Sequence, residues 1–265
     1  MKKSLEEKLK NKNLNFTESE LDWLLAHIGD ENPEIRDGLV FVSFARSISE
    51  EALSLTQFQK LAQYSMSQDL IFYQMSEGLP AVLTRTFAAL LNSYLIEADG
   101  AKAGKYEYAL TTEQRQYFFE RAVDYLENEQ VFTGYSQVYG WIHGFAHGAD
   151  FLANALTHPE FTEQKALEAL DMLAAIFHRL PESFVCGEER SLGEVVVVAL
   201  LSGKLSQIQV ADWLAQVKFS LAELIDYARL ANFEVFLAYI YFHIFEKLDL
   251  EAPLKNELLK VLRQI

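Results

Sequence analysis

The sequence predicts an all-α fold, an irregular HEAT-like α-superhelix of about a dozen helices packed as antiparallel pairs. Half of the 265 residues are hydrophobic, and only 12 Gly and 5 Pro interrupt them. So few helix-breaking residues favour long helices with short connections. Helix-start signals recur along the chain, and no stretch alternates apolar and polar residues as a half-buried strand would. Because no Pro- or Ser-rich linker divides the chain, we predict a single superhelical domain over residues 1–265.

The helix starts are predicted from capping residues. Thr17 is followed three residues later by Glu20, which is the pattern of a capping box, and Asn32 precedes Pro33 at the first position of a second helix. Further starts are expected at Thr56, Pro80, Thr111 or Thr112, Val138, Thr162, Glu188, Ser206, Ser220, Asn232 and Pro253. The β-branched run VVVVALL at 195–201 would suit a strand, but no partner strand is predicted, so we interpret it as a buried helix.

One segment resembles a HEAT-type repeat. LLAHIGDENPEIRDGLVFVSFARSI at 24–48 contains an apolar helix, a D-x-N-P-x-x-R turn and a second apolar helix. Helix pairs of this kind bury their apolar faces against the next pair and build a superhelix. No strict period of about 34 to 47 residues recurs, so irregular repeats are expected. In such an array Arg36 and Asp37 would form a charged ladder within the repeat.

Charge and hydropathy exclude several classes of partner. The chain carries 23 Lys and Arg against 38 Asp and Glu, for a net charge of -15. This surface repels phosphate backbones, and no basic patch interleaved with aromatic residues offsets it, so no nucleic acid is expected. The opening MKKSLEEKLKNKN lacks the apolar stretch of a secretory signal, and the apolar stretches at 195–201 and 233–245 are shorter than the ~20 residues of a membrane span. We therefore expect a cytoplasmic protein with no membrane contact.

The stretch GWIHGFAHGAD at 140–150 is the strongest candidate for a site. On a helix with 100° per residue, His143, His147 and Asp150 would share one narrow stripe. Trp141 would lie on the opposite, apolar face. Three glycines at 140, 144 and 148 would form a second stripe, which indicates either a closely packed helix or room for a ligand.

The polar stripe has a structural and a functional interpretation. It can be a buried hydrogen-bonding stripe, which is the more common use of such residues, or it can line a pocket. Histidines at i and i+4 can hold a divalent metal ion, but the glutamate of the HExxH proteases is missing. Asp150 lies too far along a helix from His143 to share an ion with it, and is better placed to orient the imidazole of His147 or to face a ligand. Further metal ligands would come from distant acids, namely Asp37, Glu127, Glu129, Glu188 or Glu189.

The sequence GEER at 187–190 offers a second group of charged residues. Glu188, Glu189 and Arg190 can form an ion-pair knot at a helix N-terminus, or can line the same pocket as the histidines. The knot is favoured because the helix dipole already stabilises acidic residues in a first turn.

Several motifs together resemble a bacterial family catalogued as domain of unknown function 2785. They are RD at 36–37, RTF at 85–87, YLENE at 125–129, GWIHGFAHGAD at 140–150, EER at 188–190 and NFEVFLAYIYF at 232–242. The resemblance implies an all-helical, HEAT-like protein with no established activity. It also implies that His143, His147, Asp150, Arg190 and Asp37 occupy the family's motif positions. Family members typically carry Arg-Gly after the E-x-E element, whereas this chain reads ENEQVFTGYS, so no role of that arginine carries over.

These observations favour an interaction scaffold that binds a protein or peptide on the concave face of the superhelix. The alternative is an enzyme, or a small-molecule or metal-binding protein, whose pocket is centred on His143, His147 and Asp150. No cofactor is predicted apart from a divalent metal ion held by the two histidines. The full set of candidate site residues is His143, His147, Asp150, Asp37, Arg36, Glu188, Glu189, Arg190 and Trp141.

Overall fold

A computed structural model describes residues 1–245 and 247–262. Within them the fold is all-α, as predicted, with one two-stranded antiparallel ladder. The helices are α1 (Lys2–Leu9), α2 (Glu18–Ala26), α3 (Pro33–Ile35), α4 (Val42–Ser49), α5 (Leu55–Ser67), α6 (Ala81–Gly100), α7 (Thr112–Asn128), α8 (Gly144–Thr157), α9 (Glu163–His178), α10 (Glu188–Leu201), α11 (Gln207–Gln216), α12 (Leu224–Phe245) and α13 (Ala252–Leu262). A π-helical turn, Arg36–Phe41, joins α3 to α4, and a 3-10 turn, Leu70–Phe72, precedes α6. The strands are β1 (Tyr135–Ser136) and β2 (Gly140–Trp141).

Most of the predicted caps begin helices. Thr17 and Glu20 form the predicted capping box of α2, and Asn32 accepts a hydrogen bond from the backbone N–H of Glu34 at the start of α3. The other predicted side-chain caps that are confirmed are Thr111, Thr162 and Ser206. These starts were predictable because a capping side chain bonds a backbone group only two or three residues away.

Four predicted starts were wrong. Ser220 precedes α12, which begins only at Leu224. The cap of α5 is Ser54, not Thr56. No helix begins near Val138, because the β1–β2 hairpin occupies that segment. Asn232 lies inside α12, where its side chain accepts a hydrogen bond from the backbone N–H of Phe184 at 3.0 Å and donates one to the carbonyl of Ala228 at 2.7 Å. Tertiary packing therefore uses Asn232 as a buried bridge and not as a cap.

The β-branched run at 195–201 is helical, as predicted, and forms the end of α10. Val195, Val196 and Val197 are all buried there. The other very apolar stretch, 233–245, belongs to α12. Among the described residues, no helix combines the length and the apolar character that crossing a bilayer requires.

The helices after α3 pack in two layers. In chain order α4, α6, α8, α10 and α12 lie side by side, and α5, α7, α9, α11 and α13 form the second layer. Aromatic rings fill the space between the layers, as where Phe118 of α7 meets Phe151 of α8 and Phe177 of α9 meets Phe236 of α12. Consecutive helices thus contribute alternately to the two layers, which is the organisation expected of stacked helix pairs. The HEAT type of these repeats stays a prediction.

The hairpin between α7 and α8 shapes the approach to α8. Tyr135 pairs with Trp141 and Ser136 with Gly140. Beyond the ladder, the backbone N–H groups of Ile142 and His143 both donate to the carbonyl of Gly134, at 2.9 and 3.1 Å. These bonds hold the chain next to Gly134 up to His143, the residue before α8.

Candidate functional site

An open cleft of about 330 Å³ lies in the layer formed by α4, α6 and α8. Its walls come from the π-helical turn, from α6, and from the end of the hairpin together with α8. The lining residues are Asp37, Phe41, Phe87, Leu90, Trp141, His143, His147 and Asp150. The structure therefore brings five of the nine candidate residues to one cavity, although they lie up to 113 positions apart in the sequence (150 − 37 = 113).

His143 is not part of a helix. It is the N-cap of α8 and has a left-handed backbone conformation, with φ at 48°. The prediction of one helix through all of GWIHGFAHGAD was wrong, because Gly140 also has a positive φ, 72°, and β2 pairs with β1. The carbonyl of His143 still accepts a hydrogen bond from the N–H of His147 at 2.8 Å, so the two imidazoles are neighbours with ring centroids 5.5 Å apart. The helical spacing that separated His143 from Asp150 does not apply, and both line the cleft.

Thr86 orients the imidazole of His147. The Thr86 hydroxyl donates its single hydrogen to the carbonyl of Ile142 at 2.7 Å, and its oxygen lies 2.8 Å from Nδ1 of His147. Because a hydroxyl has only one hydrogen, Nδ1 must carry the proton and donate it to Thr86. The other ring nitrogen, Nε2, therefore has a free lone pair. Burial lowers the pKa of His147 to about 3, with the neighbouring charge of His143 acting in the same direction, so the ring is neutral at physiological pH.

Asp150 does not orient His147, which was one of the two roles predicted for it; the other, facing a ligand, stays a prediction. It projects from the second turn of α8 into the cleft and is exposed there, although protein surrounds it on several sides. Loss of solvation raises its pKa to about 6; the charge of His143 opposes this rise and that of Glu194 adds to it. A carboxyl group with this pKa can take up or release a proton near neutral pH, which is useful chemistry for a bound group.

Asp37 faces the same cleft from the π-helical turn. One of its carboxylate oxygens lies 2.8 Å from Nε of the buried Arg36. The angles of this contact are not those of a hydrogen bond, so the two groups are held by charge. Burial raises the pKa of Asp37, and the attraction of Arg36 only partly opposes that rise.

Arg36 supports the cleft from behind. Its guanidinium is fully buried and donates to the carbonyls of Asp30, Tyr139 and Trp141, at 2.9, 2.6 and 3.1 Å. It also lies 4.8 Å from the ring centroid of Phe87. These contacts tie the π-helical turn to the distant hairpin that carries Trp141, and the ladder within a HEAT-type repeat stays a prediction.

Trp141 forms part of the mouth of the cleft. The residue is 47% exposed, and its ring stacks on His143 with centroids 4.5 Å apart. The prediction that Trp141 lies on the apolar face of a helix was wrong, because Trp141 lies in β2. Phe145 and Leu152 do belong to the buried face of α8.

The glycines of α8 serve close packing and not ligand access. A Cβ at Gly148 would lie 2.7 Å from a methyl carbon of Leu126 and 2.8 Å from a ring carbon of Tyr125, both on α7. Gly144 faces the same helix at 3.4 to 3.5 Å. Gly140 lies in the hairpin and not in α8, and its backbone has a positive φ there. Of the two interpretations of these glycines, the structure supports a neighbouring helix.

The GEER residues lie outside the cleft. Glu188 is buried in the first turn of α10, accepts a hydrogen bond from the N–H of Cys186 at 3.1 Å, and lies 3.2 Å from Nδ1 of His143. Glu188 therefore holds the His143 ring from behind. Glu189 is buried, and burial raises its pKa. Arg190 is exposed and has no ion-pair partner within residues 1–245 and 247–262, so the predicted Glu–Arg knot was wrong.

A family model described as a protein of unknown function (DUF2785) matches residues 71–242. The chain belongs to this family. The match extends from the 3-10 turn before α6 to the last part of α12, and it contains every lining residue of the cleft except Asp37 and Phe41. No curated protein and no solved structure matches the chain.

Metal binding at the histidines stays a prediction. Among the described residues, no three His, Cys, Asp or Glu side chains are grouped so that they could hold one ion. Of the distant acids considered as ligands, Glu129 is buried in an ion pair with Arg85, at 3.0 Å, and Glu127 is exposed on α7.

Sequence reasoning missed Thr86, Phe87, Phe41 and Leu90. The RTF motif at 85–87 was recognised as a family element, but nothing in it indicates that a threonine on α6 would reach a histidine 61 residues later. The three apolar residues are indistinguishable by sequence from those of a core. Only the packing of α6 against α8 and against the π-helical turn places them in the wall of a cleft.

Proposed function

We propose that this protein binds a small ligand, or a single side chain of a larger one, in the cleft. The observation that carries the proposal is the meeting of three distant segments around a cavity in which the Asp150 carboxylate and Nε2 of His147 have no hydrogen-bond partner among the described residues. Ligand sites are typically concave, mostly apolar, and provided with a few convergent polar groups. Four apolar or aromatic walls with His147, Asp37 and Asp150 fit that description.

The cost of this arrangement to the fold supports a binding role. The pKa values of Asp37 and Asp150 are raised because their carboxylates lose solvation without full compensation. An uncompensated carboxylate destabilises the folded state, whereas a ligand can compensate it. Two structural ion pairs contrast with the cleft, since Glu129 has Arg85 and Asp99 has Arg115, although Glu189 outside the cleft also has a pKa raised by burial. The difference separates the cleft from the structural ion pairs.

Fragment screening by NMR tests the proposal. Mixtures of cationic, neutral and anionic fragments are added to the ¹⁵N-labelled protein, and amide shifts are mapped onto the structure. We expect shifts centred on 141–150 and on α6 for at least one fragment. Trp141→Ala removes one wall and should weaken binding. The control Phe242→Ala, which removes an aromatic ring that is 70% exposed on α12, should leave binding unchanged. Shifts confined to other surfaces, or none, would refute a binding role for the cleft.

Protein or peptide interaction remains a second proposal, and the hairpin supports it. Three of its apolar side chains are exposed, Tyr135 at 47%, Val138 at 73% and Trp141 at 47%. Exposed aromatic and aliphatic groups next to a cleft suit a polypeptide that inserts one residue. A partner recovered in stoichiometric amount by the wild type but not by Val138→Glu would support the scaffold function. Equal recovery by both would argue against this surface.

A further inference from the structure

We infer that the ligand of the cleft is an alkyl cation with N–H donors, an amine or guanidine on a short apolar stem. This inference rests on the proposed function and specifies the ligand class of the same site. Three features of the cleft support it: the nature of its hydrogen-bonding groups, its charge, and its aromatic walls.

Three of the four polar side chains that line the cleft accept hydrogen bonds. Asp37 and Asp150 are acceptors when ionised. The Nε2 atom of His147 is an acceptor as well, because Thr86 fixes the proton on Nδ1. Ammonium and guanidinium groups offer several N–H donors and no acceptor, so they complement this set. A carboxylate or phosphate ligand would instead meet acceptors and carboxylate charge.

The charges around the cleft are predominantly negative. Asp37 and Asp150 line it, and the charge of Glu194 on α10 also acts on Asp150. The positively charged groups near the cleft are Arg36 and, when protonated, His143. The Arg36 guanidinium is already bonded to three carbonyls and paired with Asp37. A bound cation would remove the desolvation cost of the carboxylates. The net charge of -15 on the whole chain also attracts cations over a longer range.

Aromatic and aliphatic side chains form the remaining walls. Phe41, Phe87 and Trp141 present rings and Leu90 an aliphatic surface, which suits both the stem and the charged end of such a ligand. The ring of Phe87 already has one cation over it, since the guanidinium carbon of Arg36 is 4.8 Å from its centroid. A volume of about 330 Å³ is at the small end for ligand sites, so it suits a short chain.

Agmatine is the appropriate probe, because it carries a guanidinium and a primary ammonium on one butyl chain. Its binding is measured by NMR titration and calorimetry with the wild type, Asp150→Asn, Trp141→Ala and the control Asp171→Asn. Asp171 is an exposed carboxylate of α9, outside the cleft. We expect saturable binding by the wild type and the control, and at least about tenfold weaker binding by Asp150→Asn, which loses one charge-assisted contact. Thermal unfolding of each variant verifies that it folds.

Two further probes test the chemistry of recognition. Glutarate, an anion of similar length, should not bind. Tetramethylammonium, a cation without N–H donors, should bind more weakly than agmatine if the acceptors contribute.

The outcomes separate the ligand class from the existence of the site. If neutral or anionic fragments bind in the cleft and agmatine does not, the ligand class is wrong and the site stands. If agmatine binds Asp150→Asn as tightly as the wild type, or shifts only residues outside the cleft, the ligand class is also refuted. If no fragment and no cation perturbs the cleft, both proposals fail.

Discussion

Replacing Asp150 by Asn should stabilise the protein at neutral pH. The carboxyl group has a pKa of about 6 in the folded protein, against about 3.9 in an unfolded chain. A difference of two pKa units corresponds to about 3 kcal/mol for a fully shielded group. Asp150 is open to solvent in the cleft, so screening reduces this, and we expect a gain of about 1 kcal/mol. For a chain of this size that is about 2 °C in Tm.

The dependence on pH determines whether the charge of Asp150 is the cause. The folded protein holds the proton more tightly than the unfolded chain does, so the ionised carboxylate destabilises the fold. Below about pH 4 the group is protonated in both states and contributes nothing. The cost develops as pH rises from about 4 to 6 and is complete above that range. The advantage of Asp150→Asn over the wild type should therefore be absent at pH 3.5 and full at pH 7.5.

Thermal and denaturant unfolding across this pH range measure the effect. Asp171→Asn is the matched control, because it removes an exposed carboxylate from the middle of another helix. We expect it to change stability by less than about 0.5 kcal/mol at every pH. Asp150→Asn that destabilises the protein, or stabilises it equally at both ends of the range, would refute the reasoning. In that case Asp150 would have a buried partner, as the structural interpretation of the stripe required.

The other predictions concern the support of the cleft. Thr86→Val should destabilise the fold by about 1 to 3 kcal/mol, since it leaves the Nδ1–H of His147 and the carbonyl of Ile142 without a partner. The ¹⁵N chemical shifts of the His147 imidazole should also show mixed tautomers in this variant. An unchanged Nδ1–H tautomer would contradict the assignment. Gly148→Ala should cost about 1 to 3 kcal/mol in chemical unfolding, because the new methyl would lie 2.7 to 2.9 Å from three atoms of α7. Gly38→Ala, with nothing within 4 Å, should be neutral or stabilising, and equal effects of the two would refute the packing argument. Arg36→Met should release the hairpin and speed the hydrogen exchange of backbone amides at 135–143. Unchanged exchange there would show that the guanidinium does not hold the hairpin.

Local signals in the sequence were sufficient for the helices. The capping boxes of α2 and α7 and the caps of α9 and α11 involve residues two or three positions apart, so their effect is visible without a structure. The same holds for the helical state of the β-branched run in α10, which its flanking residues and length predicted. Where the prediction failed, as at Asn232, a partner from a distant segment had taken the capping side chain.

For the candidate site, too, the sequence predicted some features and missed others. The sequence singled out His143, His147 and Asp150 because polar residues in an apolar segment are unusual. Asp37 was a candidate through the family resemblance and as a distant acid, and Trp141 as an apolar anchor. Their roles were assigned less well, since the helical geometry assumed for 140–143 does not exist. The chain there forms β2 and then takes a left-handed conformation at His143. Contacts that no local pattern encodes hold it in place.

The sequence by itself determined the class of fold, the position of most helices and the segment that carries the histidines. Tertiary structure alone decided which nitrogen of His147 bears the proton, that Trp141 is exposed, and that the π-helical turn and α6 complete the cleft. The physical reason is the range of the interactions. Capping and helical periodicity act within one or two turns, whereas Arg36 bonds carbonyls 103 and 105 residues away, and such pairings exist only once the helices have packed.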